Sequence, residues 1–286
     1  MSPPEGLLLV DKPEGPTSHD VVALVKRRLA ASKVGHAGTL DPMASGLLPL
    51  ALGRATRLIR FLPAAPKVYA GSIRLGLATT TDDVTGEALS RHDGPAPPLA
   101  EVIAAAARFS GRLLQHPPAF SARRVSGQRM YRLARRGEAA VGPPVEVEVY
   151  RFDLAATGDP WSFAFTVAVS SGTYVRSLAR DLGAALGCGG TLETLRRTAI
   201  GPFRVEDAVA IAGDAALDPA RIVPLEGMPL GLPDAALDDA AASRFASGVA
   251  IPWDQGEGLL RVTAPGRLVG VGEVRNGLLA PRVVVC

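Results

Sequence analysis

The residues Gly35-His36-Ala37-Gly38-Thr39-Leu40-Asp41-Pro42 set an imidazole, a hydroxyl and a carboxylate between two glycines and a proline. Gly35 and Gly38 permit backbone angles closed to other residues, while Pro42 stiffens the exit and biases Asp41 toward an extended conformation. A carboxylate fixed on such a turn is a candidate nucleophile or proton-transfer group. The competing reading is an aspartate that caps a turn or helix. The segment from Ala44 to Phe61 is expected to be a helix that positions this loop. Leu47, Leu48, Leu50, Ala51, Leu58 and Phe61 recur at near-helical spacing, and its charges, Arg54, Arg57 and Arg60, are all basic.

The second chemical signal is segregated charge. The net charge of the 286-residue chain is only +3, yet eight arginines and no acidic residue lie between Arg108 and Arg136. Between Val205 and Ala240 the balance reverses, with eight acidic residues and a single arginine, Arg221. Of the 31 basic residues 27 are arginine, a side chain suited to bidentate phosphate contacts. A polyanionic partner follows from this separation. Cys188 and Cys286 have no metal-ligand spacing and suggest no disulfide framework, which fits a reducing cytoplasm. Neither a metal nor an organic cofactor is expected. No apolar run reaches membrane-spanning length, and the N-terminal stretch lacks the features of a signal peptide.

The remaining elements are read in order. Gly6 to Val10 is expected to be a strand that leads into a rigid Pro/Gly loop containing Lys12. Thr17-Ser18-His19-Asp20 has the form of a capping box, opening a helix that buries Val21, Val22, Leu24 and Val25. Lys67 to Leu77 reads as a strand, Leu99 to Phe109 as a helix, and Gln128 to Arg136 as a basic helix. Pro144 to Leu154 and the alternating Phe163, Phe165, Val167 and Val169 read as an antiparallel pair. The second of these delivers Ser170-Ser171-Gly172-Thr173-Tyr174-Val175-Arg176 to a helix running to about Leu186. Gly187 to Gly190 stops it, and Thr191 is expected to open another helix containing Leu192, Leu195, Arg196 and Arg197. Leu259–Val262, Leu268–Val274 and Arg282–Val285 suggest a small β-barrel.

The run from Gly35 to Leu50 resembles the active-site motif of TruB-type tRNA pseudouridine synthases. The segments beginning at Leu7, Gln115 and Ser170 resemble further motifs of that family in the same order, from residue 7 to about 203. The resemblance implies isomerisation of uridine to pseudouridine in the tRNA T-stem-loop, at position 55. It assigns Asp41 as the catalytic carboxylate, Arg176 as its ion-pair partner, and Tyr69 as the residue that stacks on the flipped uracil. Tyr174 and Leu195 would complete the uridine pocket, and His36 would hold the disrupted loop. Lys12, Arg123, Arg124 and Arg132 are the RNA-contact candidates, although arginine stands at 123 and 124 where the family usually has lysine. Asp83 keeps its place in a Thr/Asp-rich turn, either as a structural residue or as a substrate contact.

The expected architecture is a mixed α/β catalytic domain over residues 1–224 with a largely antiparallel central sheet and a basic insertion at about 108–136. Residues 225–286 would form a PUA-like RNA-binding barrel. Val271-Gly272-Glu273-Val274 with Ala280-Pro281-Arg282 carries that second resemblance. No protein partner is required, and nothing demands more than a monomer. Two other readings stand beside this one. The first is a non-catalytic tRNA-binding or folding factor. The second is an Asp-dependent glycosidic hydrolase, which would need a second carboxylate as acid, with Asp83 the candidate.

Overall fold

The computed structural model describes residues 3–120, 142–211 and 217–286, together with the backbone of 124–125 and 128–129. The chain divides into two compact units, one of Met1–Pro42, Gly46–Ala64 and Pro202–Cys286, the other of Met43–Ser45 and Ala65–Gly201. The fold is mixed α/β and dominated by sheet, with short helices.

In the first unit, strand β1 (Gly6–Lys12) is followed by helix α1 (Ser18–Arg28). The capping box at its start is formed as the sequence suggests. The Asp20 backbone N–H donates to the Thr17 hydroxyl, and the Thr17 backbone N–H donates to the Asp20 carboxylate. Strands β2 (Val34–His36) and β3 (Ala44–Leu52) come next, and both β1 and β2 pair antiparallel with β3. Here the helix expected from Ala44 to Phe61 is replaced by a strand and a 3₁₀ helix, Gly53–Phe61. β3 is buried almost throughout, so no polar residue marks its alternation, and a continuous apolar run does not distinguish strand from buried helix. Pro49, which would interrupt a helix, sits within β3 opposite Leu9. The three-residue spacing of Arg54, Arg57 and Arg60 instead matches the threefold repeat of a 3₁₀ helix and exposes all three along one edge.

The second unit is built on strands β4 (Lys67–Leu75), β5 (Leu77–Thr79), β6 (Ala88–Arg91) and β7 (Gly111–Gln115), with helix α2 (Leu99–Ala107) before β7. The backbone pairs β8 (Arg124–Val125) and β9 (Gln128–Arg129) are hydrogen-bonded to each other. The helix expected from Gln128 therefore does not begin there, and the rest of that expectation lies outside the described residues. Strands β10 (Val145–Ala156) and β11 (Ser162–Val169) form the antiparallel pair expected from their alternation. Helix α3 (Val175–Ala185) leads to β12 (Gly190–Ile200), and the sheet path in this unit runs β12-β4-β11-β10-β7, antiparallel throughout.

β12 corrects the expected helix from Thr191. Its register against β4 shifts twice, between Leu192 and Thr194 and between Arg197 and Ala199. Each bulge inserts one residue and resets which face the next side chain takes. Leu192 and Leu195 are consequently buried three residues apart, an interval that reads as helical in sequence.

The chain then returns to the first unit through β13 (Phe203–Arg204) and β14 (Val209–Ala210), the latter parallel to β1. Strands β15 (Asp234–Ala236), β16 (Ile251–Pro252), β17 (Gly258–Ala264), β18 (Arg267–Arg275) and β19 (Leu278–Val284) form a separate five-stranded sheet in the order β15-β17-β18-β19-β16. Helix α4 (Asp239–Ala246) sends the fully buried Phe245 into a core with Val262, Val269 and Leu279. β15 and β17 are parallel, so this sheet too is mixed. Among the described residues no helix is long and apolar enough to cross a membrane.

Candidate active site

The Asp41 loop belongs to the first unit and is held on both sides of the carboxylate. On one side Ser18, only 2% exposed at the start of α1, bonds both polar groups of Leu40. Its hydroxyl donates to the Leu40 carbonyl at 3.0 Å and accepts from the Leu40 N–H at 2.8 Å. On the other side the Pro42 carbonyl accepts from the Gly15 N–H at 2.8 Å and from Lys12 Nζ at 3.4 Å. Gly38 supplies the one backbone angle in the loop closed to other residues, at φ +124°. His36, at the end of β2 opposite Leu50, is half-buried, as is Asp41 itself. A half-buried carboxylate whose neighbours are both tied down is presented without backbone freedom, as a catalytic group needs.

This geometry revises the expectation for Lys12. The residue is fully buried, and its ammonium donates to the Pro13 carbonyl at 2.7 Å as well as to Pro42. It is neither a solvated loop lysine nor an ammonium offered at the surface to phosphate. Its charge is spent on fixing the loop.

In the second unit, register decides which side chains share a face. Tyr69 on β4 lies opposite Arg197 on β12 and Val167 on β11, and Gly71 lies opposite Leu195. Tyr69, Leu195, Arg197 and, two residues before Tyr69, Lys67 therefore project from one side of the sheet. Helix α3 covers that side. Gly190 pairs with Leu75, and a Cβ on Gly190 would stand 2.4 Å from the Ala179 carbonyl of α3. Only glycine lets the helix lie so close. Tyr69 and Leu195, brought together here, are each 7% exposed.

The first turn of α3 carries Tyr174 and Arg176, and a polar network fixes both. Arg176, 5% exposed, donates to the carbonyls of Thr81 at 2.7 Å and Phe120 at 2.9 Å, and lies 3.7 Å from the Asp83 carboxylate. Asp83 is as deeply buried, and it accepts from the Thr81 hydroxyl at 2.7 Å, the Thr85 hydroxyl at 2.5 Å and the Thr85 N–H at 3.0 Å. The Thr/Asp-rich turn is thus a carboxylate cage, with the charge of Asp83 directed at Arg176. Such a caged anion has no freedom to serve as the second acid of a glycosidic hydrolase.

Gln115 makes contacts that sequence reasoning passed over when it read the residue as part of a longer motif. Its amide donates to the Tyr174 carbonyl at 3.0 Å and its oxygen accepts from the Tyr174 N–H at 2.8 Å. The next carbonyl, of His116, accepts from Ser177 Oγ at 2.9 Å and from Arg180 Nη2 at 3.0 Å. Arg180 also pairs with Asp82 at 3.0 Å and with Asp181 at 2.8 Å. Burial pushes the Asp82 carboxyl up, against the pull of Arg180 and Arg176. The segment from 115 to 120 is thereby bonded to Tyr174 and α3 through the Gln115 side chain and the His116 and Phe120 carbonyls. Of the arginines expected to meet RNA, Arg123 and Arg132 lie outside the described residues, and Arg124 is described in its backbone alone.

Comparison with known proteins identifies the family of the chain. Residues 26–175 match the TruB family pseudouridylate synthase N-terminal domain, and residues 176–213 match the tRNA pseudouridylate synthase B C-terminal domain. The chain is 42% identical to the tRNA pseudouridine synthase B of a Synechococcus species, over 98% of both chains. It is 44% identical to that of Thermobifida fusca, again over 98% of both. Among solved structures it resembles a chain of a Cbf5–Nop10–Gar1 complex at TM-score 0.73 and 27% identity, covering 98% of this chain and 85% of that one. It also resembles a chain of an H/ACA ribonucleoprotein bound to a substrate RNA containing 2'-deoxyuridine, at TM-score 0.72 and 26% identity, covering 98% and 85%. With its motif loop and its α3 network in place and its likeness running the length of the chain, the protein belongs to the TruB family of pseudouridylate synthases.

Proposed function

We propose that this pseudouridine synthase acts on tRNA, at uridine 55 of the T-stem-loop. The observation that carries the reading is the Asp41 loop, pinned at Leu40 and Pro42 in a chain that matches tRNA pseudouridine synthases along 98% of its length. The reaction breaks the bond from C1′ to N1, turns the uracil, and joins C1′ to C5. The C5 proton leaves and N1 gains one, so no atoms are lost. Asp41 serves either by attacking the sugar or the base, or by assisting uracil departure and proton removal. Arg176 is a fixed guanidinium, held by the Thr81 and Phe120 carbonyls with Asp83 3.7 Å away.

Extruding the uridine costs a few kcal/mol. Stacking on Tyr69 returns roughly 1–3 kcal/mol, with phosphate contacts from Arg123, Arg124 and Arg132 adding to it. Tyr174 and Leu195 bound the uracil, and His36 holds the opened loop. Residues 225–286, with their five-stranded sheet, act as a PUA-like RNA-binding module. The enzyme works in the cytoplasm as a monomer without a protein partner.

The test is tritium release from tRNA labelled at uracil C5, comparing the native enzyme with Asp41→Asn. Release by the native enzyme alone supports the reading. Release by both removes Asp41 from the chemistry. Tight tRNA binding with no release by either favours the non-catalytic RNA binder.

A further inference from the structure

Lys67 is one of only four lysines in a chain with 27 arginines. Lys26 and Lys33 are exposed, and Lys12 is absorbed by the Asp41 loop. Lys67 is half-buried at the start of β4, and its cross-strand neighbours are Val169 on β11 and Ile200 on β12, both at most 1% exposed. The other ionisable groups facing it are Tyr69 on its own strand and Arg197 on β12, which is fully buried. Among the described residues no carboxylate acts on it. Burial and the like charge of Arg197 push its ammonium down to about 8. Among the described residues its ammonium has neither a hydrogen bond nor an ion pair.

A cation held this way weakens the fold, because desolvation disfavours its charge and a second cation repels it. Local rules broken without a compensating contact mark functional positions. The charge stands two residues from Tyr69 on the same face, about 7 Å along the strand. A nucleobase and its own phosphate are separated by one sugar, so a nucleotide whose base stacks on Tyr69 carries its phosphate near Lys67. An ammonium is also the more compact of the two cations, and beside the buried Val169 and Ile200 it needs less room than a planar guanidinium.

We infer that Lys67 forms a phosphate-binding subsite that engages the backbone phosphate of the flipped nucleotide, so that the missing counter-charge is supplied by the substrate. The inference rests on the RNA reading given above. It makes Lys67 a positioning residue that places the uridine over Tyr69.

The test uses the full-length enzyme, Lys67→Met and Lys67→Gln, with tRNA and with a T-stem-loop carrying one uncharged methylphosphonate beside the target uridine. Either variant is expected to melt at a higher temperature than the native enzyme and yet bind tRNA about tenfold more weakly. The dependence of log Kd on log salt should be shallower by roughly 0.7–0.9, as expected when one phosphate goes unneutralised. The uncharged linkage should weaken the native enzyme but leave the variants unaffected. Variants that melt lower, keep the native salt slope and still lose affinity at the uncharged linkage overturn the inference. If Lys67→Met fails to fold, Lys67→Gln decides on the same measurements. Tritium release by the native enzyme keeps the outcomes apart, because its absence fails the RNA-modification reading, whereas release with an unchanged slope fails only Lys67.

Discussion

The carboxamide of Gln115 satisfies both backbone polar groups of Tyr174, donating to its carbonyl and accepting from its N–H. Tyr174 is the N-cap of α3 and its side chain gives that helix no cap hydrogen bond, so a glutamine 59 residues earlier holds the helix start. Arg176 lies two residues further on. Its guanidinium is bonded to the Phe120 carbonyl of the same segment. The approach to the basic insertion and the cationic end of α3 therefore form one hydrogen-bonded unit.

Gln115→Leu should leave the Tyr174 N–H without its partner, while the Tyr174 carbonyl keeps the Leu178 N–H, at a cost of about 1–3 kcal/mol. Turnover should fall by ten- to a hundredfold in single-turnover kinetics, while tRNA affinity changes little. Combined with Arg176→Ala, it should add almost nothing to the loss caused by Arg176→Ala alone, because both act through one side chain. Full additivity in that cycle would show that Gln115 does not act through Arg176.

Ser18→Ala removes the hydroxyl that holds both polar groups of Leu40 beside Asp41. The expected loss is about 1–3 kcal/mol in urea denaturation, with a larger proportional loss in turnover than in tRNA binding. Ser18→Thr should restore part of both if the methyl group is accommodated. Native turnover in the alanine variant would mean that the loop keeps its shape without the clamp.

The Lys67 ammonium, lowered from its ordinary 10.5 to about 8, predicts a stability trend with a definite sign. Between these values the unfolded chain binds more protons than the folded one, so folding stability rises with pH across that window. Below pH 8 both states are protonated and the full cost of the buried charge is present. Thermal midpoints from pH 7 to 10 should show the native enzyme gaining on Lys67→Met as pH rises. A constant gap would locate the titration elsewhere.

Replacing Arg123 and Arg124 by alanine should weaken tRNA binding and lower the salt slope by roughly 0.7–0.9 for each phosphate no longer neutralised. The tritium-release rate at saturating tRNA should stay within a few-fold of native. An unchanged slope would place the RNA on another surface.

The sequence by itself determined the elements whose signals are local. The Thr17–Asp20 capping box, the alternation of β10 and β11, and the stop of α3 by Gly187 to Gly190 depend on neighbours in the chain. The Gly35-to-Pro42 loop was likewise legible, because glycine opens backbone angles closed to other residues and proline fixes its own, whatever surrounds them. The tertiary structure alone decided β3 and β12. β3 is buried on both faces, which erases alternation, and the two bulges of β12 give it a helix-like spacing. It also decided the fate of charges. Lys12 becomes a loop clamp, Asp83 a caged counterion for Arg176, and Lys67 a half-buried cation beside Tyr69. A side chain's charge is written in the sequence, but its desolvation and its partners are set by segments that only folding brings together.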